Sequence, residues 1–162
     1  MMKRNLKYIS TSILLLIVTL TTSCLKKGLE DYPVFEDKEI TLVGAEYRFP
    51  GTVIKNGQPV IAYQPLSVAV VGGIDKTNAV INVAITVPAA NGSFSAAEKA
   101  KVVQSKLWFF VNISTAATIA PVSGTPALGD PTDATKPLKY TVTAANGTSR
   151  VWTINVTSFT NL

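Results

Sequence analysis

The chain has 162 residues, with 15 Lys and Arg against 10 Asp and Glu, no histidine and one cysteine. Without histidine it cannot build a Ser/His/Asp triad or a His-ligated zinc site, and one cysteine cannot close an internal disulfide. The length suits one good hydrophobic core and is short for two.

Lys3, Arg4 and Lys7 precede an apolar run (ILLLIVTL, residues 13–20), and Thr21, Thr22, Ser23 and Cys24 follow it. That is the charged, apolar, small-residue order of an export signal, too short to span a bilayer of about 20 residues as a helix. The cysteine at its end resembles a bacterial lipobox, in which it is acylated and becomes the first residue of the mature protein. Thr21 stands where a lipobox usually carries Leu, and Leu20 is one position earlier. An ordinary secretory leader that happens to contain a cysteine is the alternative. Removing residues 1–23 leaves 12 basic residues against 10 acidic ones, so the mature formal charge is +2 rather than +5. No basic stripe with interleaved aromatics remains, which argues against nucleic-acid binding.

Residues 24–38 form a charged stretch (CLKKGLEDYPVFEDK) read as a flexible tether with little fixed structure, and the folded domain is expected over 39–162. Residues 39–49 (EITLVGAEYRF) read as the first strand, closed by Pro50-Gly51. Asn56-Gly57 marks a turn, after which residues 59–63 return. Pro59 and Pro65 confine these segments to edge positions. Residues 66–71 (LSVAVV) read as a buried strand, and Gly72-Gly73 opens a loop through Asn78. In residues 79–87, Ala79, Ile81, Val83, Ile85 and Val87 line one face of a strand that Pro88 ends.

Ser95 followed by Glu98 is a capping-box pattern, and residues 96–104 predict one short helix inserted between strands. Residues 106–113 (KLWFFVNI) predict another strand. Leu107, Phe109, Val111 and Ile113 share one face, with Trp108 and Phe110 on the other. The preferred reading has the helix roofing Trp108 and Phe110; otherwise they form an exposed aromatic patch. Residues 114–137 hold Pro121, Pro126, Pro131 and Pro137 and predict a long ordered loop, with brief pairing near Ala117 to Ile119. The chain closes on KYTVTAANGTSRVWTINVT, residues 139–157. Here Asn146-Gly147 predicts a type I′ hairpin turn between two alternating strands. Tyr140, Val142 and Ala144 share a face of the first strand, Trp152, Ile154 and Val156 a face of the second. A lone hairpin is marginal, so these residues need a second apolar layer.

Taken together, Val87-Pro88, Ile113-Ser114, Ala117-Thr118-Ile119-Ala120-Pro121, Ser123-Gly124, Lys136-Pro137, Tyr140 to Ala144, Asn146-Gly147 and Trp152 to Val156 carry a resemblance. The chain resembles the immunoglobulin-like β-sandwich domains of unknown function found in lipoproteins of Bacteroidetes. Cys24 to Asp31 and Glu46-Tyr47-Arg48-Phe49 are similar to one short branch of that group. The resemblance implies an all-β, immunoglobulin-like antiparallel sandwich with one short inserted helix, held at the outer membrane by an acyl chain on Cys24. It also implies proximity to polysaccharide-utilisation machinery and supplies no catalytic residues. Lys26 and Lys27 replace the acidic export tag usual after the lipidated cysteine, so surface and periplasmic display both stay open.

Beyond the cluster of Glu30, Asp31, Glu36, Asp37 and Glu39, the acids Glu46, Asp75, Glu98, Asp130 and Asp133 are dispersed, whereas glycoside hydrolysis needs two carboxyls within about 5 to 10 Å across a substrate. Asp130 and Asp133 are read as turn residues rather than calcium ligands, because their spacing matches no dedicated loop. No metal, cofactor or catalysis is therefore expected. Two functions remain. One is a lipid-anchored module that binds a glycan or other nutrient ligand on exposed aromatics from among Tyr47, Tyr63, Trp108 and Phe110. The other is a structural subunit whose strand edges contact another envelope protein.

Overall fold

The computed structural model describes residues 34–161. The leader, Cys24 and the tether up to residue 33 lie outside the described residues. Among the described residues, nine strands, β1 (Ile40–Lys55), β2 (Gln58–Pro65), β3 (Ser67–Asp75), β4 (Val80–Thr86), β5 (Leu107–Ile113), β6 (Thr118–Pro121), β7 (Pro131–Thr132), β8 (Leu138–Thr143) and β9 (Ser149–Thr160), form two sheets. Their orders are β2-β1-β5-β7 and β3-β4-β9-β8-β6. The fold is an all-β sandwich. Every ladder is antiparallel except one: β4 and β9 run parallel, Ile81 beside Ile154 and Val83 beside Val156.

The period-two alternation of the sequence produces the core directly. Ile81, Val83 and Ile85 of β4 are buried, as are Tyr140 and Val142 of β8 and Trp152 and Ile154 of β9. From the facing sheet come Ala45, Tyr47 and Phe49 of β1, and Leu107 and Phe109 of β5. The last two strands do organise the sandwich, with Tyr140 directly opposite Trp152. The indole Nε1 of Trp152 donates to Lys38 O at 2.9 Å, and the Arg150 guanidinium lies 5.5 Å from its ring centroid. The end of the stretch expected to be a tether is thereby held, and Asn146 N donates to Phe35 O at 3.2 Å. Fixed structure thus begins somewhat before residue 38.

Two turns differ in detail from their sequence signals. At the β1–β2 connection Asn56 (φ 51°) and Gly57 (φ 77°) both adopt the left-handed conformation of a two-residue type I′ turn. At the β8–β9 connection Ala144 pairs with Thr148, so three residues close the loop, and only Gly147 takes positive φ. Asn146 keeps an ordinary φ because its side-chain oxygen accepts from Thr148 N at 2.9 Å, an Asx-type local bond.

Three segments depart from expectation. Residues 67–71 form an edge strand, not a buried one. β3 then continues past Gly72 and Gly73, whose positive φ values build a bulge into the ladder, as far as Asp75. The helix, α1 (Ala96–Lys99), is a single turn. Ser95 Oγ caps it by accepting from Glu98 N at 3.2 Å, but Val102 turns into the core and draws the chain away. Within the proline-rich loop, β7 pairs Thr132 with Leu107 and Pro131 with Trp108.

Candidate functional site

Alternation along β1 and β5 divides the aromatic residues between the two faces of the first sheet. Tyr47 faces the core at 8% exposure, stacked on Phe49 at 5.8 Å and near Phe94 at 6.3 Å. It cannot serve as a stacking platform, contrary to its inclusion among the candidates. Its hydroxyl donates to Glu98 Oε2 at 3.3 Å, and Lys101 holds the other carboxylate oxygen at 2.6 Å. Burial, reinforced by the Glu98 charge, pushes the Tyr47 phenol above its usual range.

The other three candidates share the outer face. Tyr63 on β2 is 64% exposed and sits opposite Arg48; Phe110 on β5 is 45% exposed and sits opposite Gly44. Trp108 is half-buried opposite Glu46. The helix does not roof Phe110, which stays exposed, and its Glu98 is engaged instead with the core-facing Tyr47. Trp108 is covered instead by Arg48, whose guanidinium carbon lies 5.8 Å from the indole centroid, while Tyr47 meets it edge-on at 6.4 Å. The tip of the Phe110 ring lies over Gly44, a position where any side chain would overlap it. Sequence reasoning missed that glycine, although a glycine inside a strand is a signal of close approach.

Arg48 and Glu46 form the polar centre of this surface. Arg48 Nε lies 2.6 Å from Glu46 Oε1, and its Nη1 donates to Gly129 O at 3.2 Å. Arg48 is thus held by a carboxylate, a carbonyl and a ring at once, leaving a rigid donor array between aromatic side chains. Strand spacings of about 4.8 Å across and 3.4 Å along put Tyr63 and Phe110 about 17 Å apart, on a diagonal that Arg48, Glu46 and Trp108 occupy. One hollow, lined by Gly51, Val53, Val60, Ala62 and Ser93 among others, holds about 150 Å³, below the roughly 300 Å³ of a small-molecule pocket.

Among the described residues no three of the types His, Cys, Asp and Glu come together as a metal-binding group would require. Asp133 accepts from Thr135 N at 3.1 Å and pairs with Lys136 at 3.2 Å, which accounts for its carboxylate locally. Those hydrogen bonds from Thr135 hold the Asp133 carboxyl below its usual range.

No curated protein matches the chain. A solved structure that is similar, a "putative secreted protein" from Bacteroides fragilis, is 40% identical, with a TM-score of 0.71 over 78% of this chain and 98% of its own. A family model described as DUF5018-related matches residues 40–155. That match takes in β1 through most of β9, and the chain belongs to the DUF5018-related family.

Proposed function

We propose that this is a non-catalytic envelope protein, anchored by an acyl chain on Cys24, whose immunoglobulin-like domain binds a glycan on the outer face of the β2-β1-β5-β7 sheet. The observation that carries the reading is the diagonal of Tyr63, Trp108 and Phe110 around the Arg48–Glu46 pair. Sugar rings present apolar C–H faces that stack on flat aromatics, while their hydroxyls take hydrogen bonds from fixed polar groups. Arg48 supplies donors and Glu46 an acceptor between the rings. An extended face of this length suits a chain of sugars better than a single one. An exported setting supports the reading, since the similar Bacteroides fragilis protein is described as secreted.

Affinity electrophoresis of the mature protein through gels containing soluble polysaccharides tests it. At least one polysaccharide should retard the wild type, and Phe110→Ala and Tyr63→Ala should each lose that retardation with unchanged circular dichroism. Equal retardation of wild type and both variants would remove the aromatic face from the proposal. The anchor is tested separately: labelled palmitate should enter the wild type and not Cys24→Ser.

A further inference from the structure

We propose that the side of the sandwich formed by β2 and β3 is where a second copy of this chain docks, β3 pairing antiparallel with β3 of the other copy about a twofold axis. This rests on the strand edges and does not depend on glycan binding.

The four edges of the two sheets are not alike. β7 is two residues long and begins with Pro131, and β6 is four residues long and ends with Pro121. β2 carries Pro59 and Pro65, and its ladder with β1 is broken by a bulge. Prolines, bulges and short length are the ordinary means by which an edge is kept from pairing. β3 has none of them over residues 67–71. Its bulge comes only afterwards, at the Gly72-Gly73 end, so those residues form a regular ladder with β4 and present an unprotected row of N–H and C=O groups on the other side.

The side chains indicate the same place. Val70 is in register with the fully buried Val83, so it points into the sandwich, yet it is 39% exposed because the facing sheet ends before covering it. Val60 at 43%, of the same parity as the core-packed Ala62, extends this uncovered strip, and Val71 at 48% adds an exposed apolar side chain on the outer face of β3. Among the described residues the core is therefore open on this side.

Charge selects the occupant. From Asn56 to Ile74 the sequence contains no Asp, Glu, Lys or Arg, so this whole flank is uncharged in a chain that is otherwise charged at both ends of it, by Lys55 and Asp75. A twofold interface sets each patch against itself, and like charges directly opposite would repel. An uncharged, flat, β-branched strip meets that requirement without a complementary partner. Joining the five-stranded sheets would give one ten-stranded sheet and satisfy the exposed backbone groups on both copies.

The test uses the full chain in its native envelope. Single cysteines are placed at Ser67, Ala69 and Val71, and the cells are oxidised and analysed on non-reducing gels beside the wild type. A band at twice the monomer mass is expected, strongest at one position and weaker on either side, as an antiparallel twofold demands. Ala69→Lys should raise the dissociation constant of detergent-extracted dimer about tenfold or more by sedimentation. Ala120→Lys on the β6 edge should leave it unchanged. Thiols that react with maleimide yet give no dimer at any position would overturn the proposal. So would a cross-link to a different protein, which would identify the edge as a docking strand for another partner.

Discussion

Gly44 lies opposite Phe110 in the β1–β5 ladder, and a methyl group added there would occupy the space that the ring fills. Gly44→Ala should therefore push the ring off the sheet. A covered aromatic side chain buries roughly 150–250 Å². With Phe110 at 45% exposure, about 100 Å² is covered, worth about 2.5 kcal/mol at about 25 cal/mol per Å². The displaced ring keeps some contact elsewhere, and Ala in a strand recovers about 0.5–1 kcal/mol of the entropy that Gly loses on folding. The expected net loss is about 1–2 kcal/mol, read from urea unfolding followed by tryptophan fluorescence. In a Phe110→Ala background the clash is gone, so the same Gly44→Ala change should become neutral or stabilising by about 0.5–1 kcal/mol. The double-mutant cycle should thus show coupling of about 2 kcal/mol. Additive effects would mean that the ring does not rest on Gly44, and the packing argument for the outer face would fail.

Trp152→Phe should lower stability by about 2–4 kcal/mol, since it leaves a gap at the centre of the core and strips Lys38 O of its donor; a urea midpoint close to wild type would contradict this. Burial raises the Tyr140 pKa, so its neutral form is favoured in the fold. That contribution is fully present below the ordinary tyrosine pKa of about 10 and is lost as pH rises through the folded value. Wild-type stability should fall through the alkaline range more steeply than that of Tyr140→Phe, and superimposable pH profiles would exclude the effect. Ser95→Ala should cost about 1 kcal/mol by removing the cap on α1, with Ser95→Asp restoring most of it; thermal melts of the three proteins decide it.

The face that each strand turns to the core was readable from the sequence because side-chain period and backbone geometry are the same physical fact. Ala79, Ile81, Val83, Ile85 and Val87 share a face in the sequence and are all buried. Trp152 and Tyr140 pair as expected, since Asn-Gly signals brought their strands together whatever the turn class. Lengths were less legible. β3 runs on through two glycines because a bulge tolerates them, and a glycine pair in sequence looks the same in a bulge as in a loop. α1 stops after one turn because Val102 gains more by entering the core than by extending so short a helix. β7 was invisible: two residues, one of them proline, carry no periodicity.

What alternation cannot supply is the identity of the cover, and this decides the candidate site. Trp108 and Phe110 occupy equivalent positions on β5, and the sequence offered one fate for both. Their cross-strand neighbours separate them. Glu46, opposite Trp108, orients Arg48 so that its guanidinium lies over the indole, whereas Gly44, opposite Phe110, offers no side chain at all and leaves the ring open to solvent. The same distinction holds at the edge. Val70 has the correct parity for burial and still lies exposed, because parity sets only direction, and none of the described residues reaches far enough to cover it. An apolar side chain that points inward and stays wet costs stability in the isolated domain by roughly the area left open. On this reasoning the aromatic face and the β2–β3 flank are different kinds of surface. The first rests its exposed ring over Gly44, beside an arginine fixed by three partners, without needing anything further to complete it. The second is a core with one side missing, which a second copy would close.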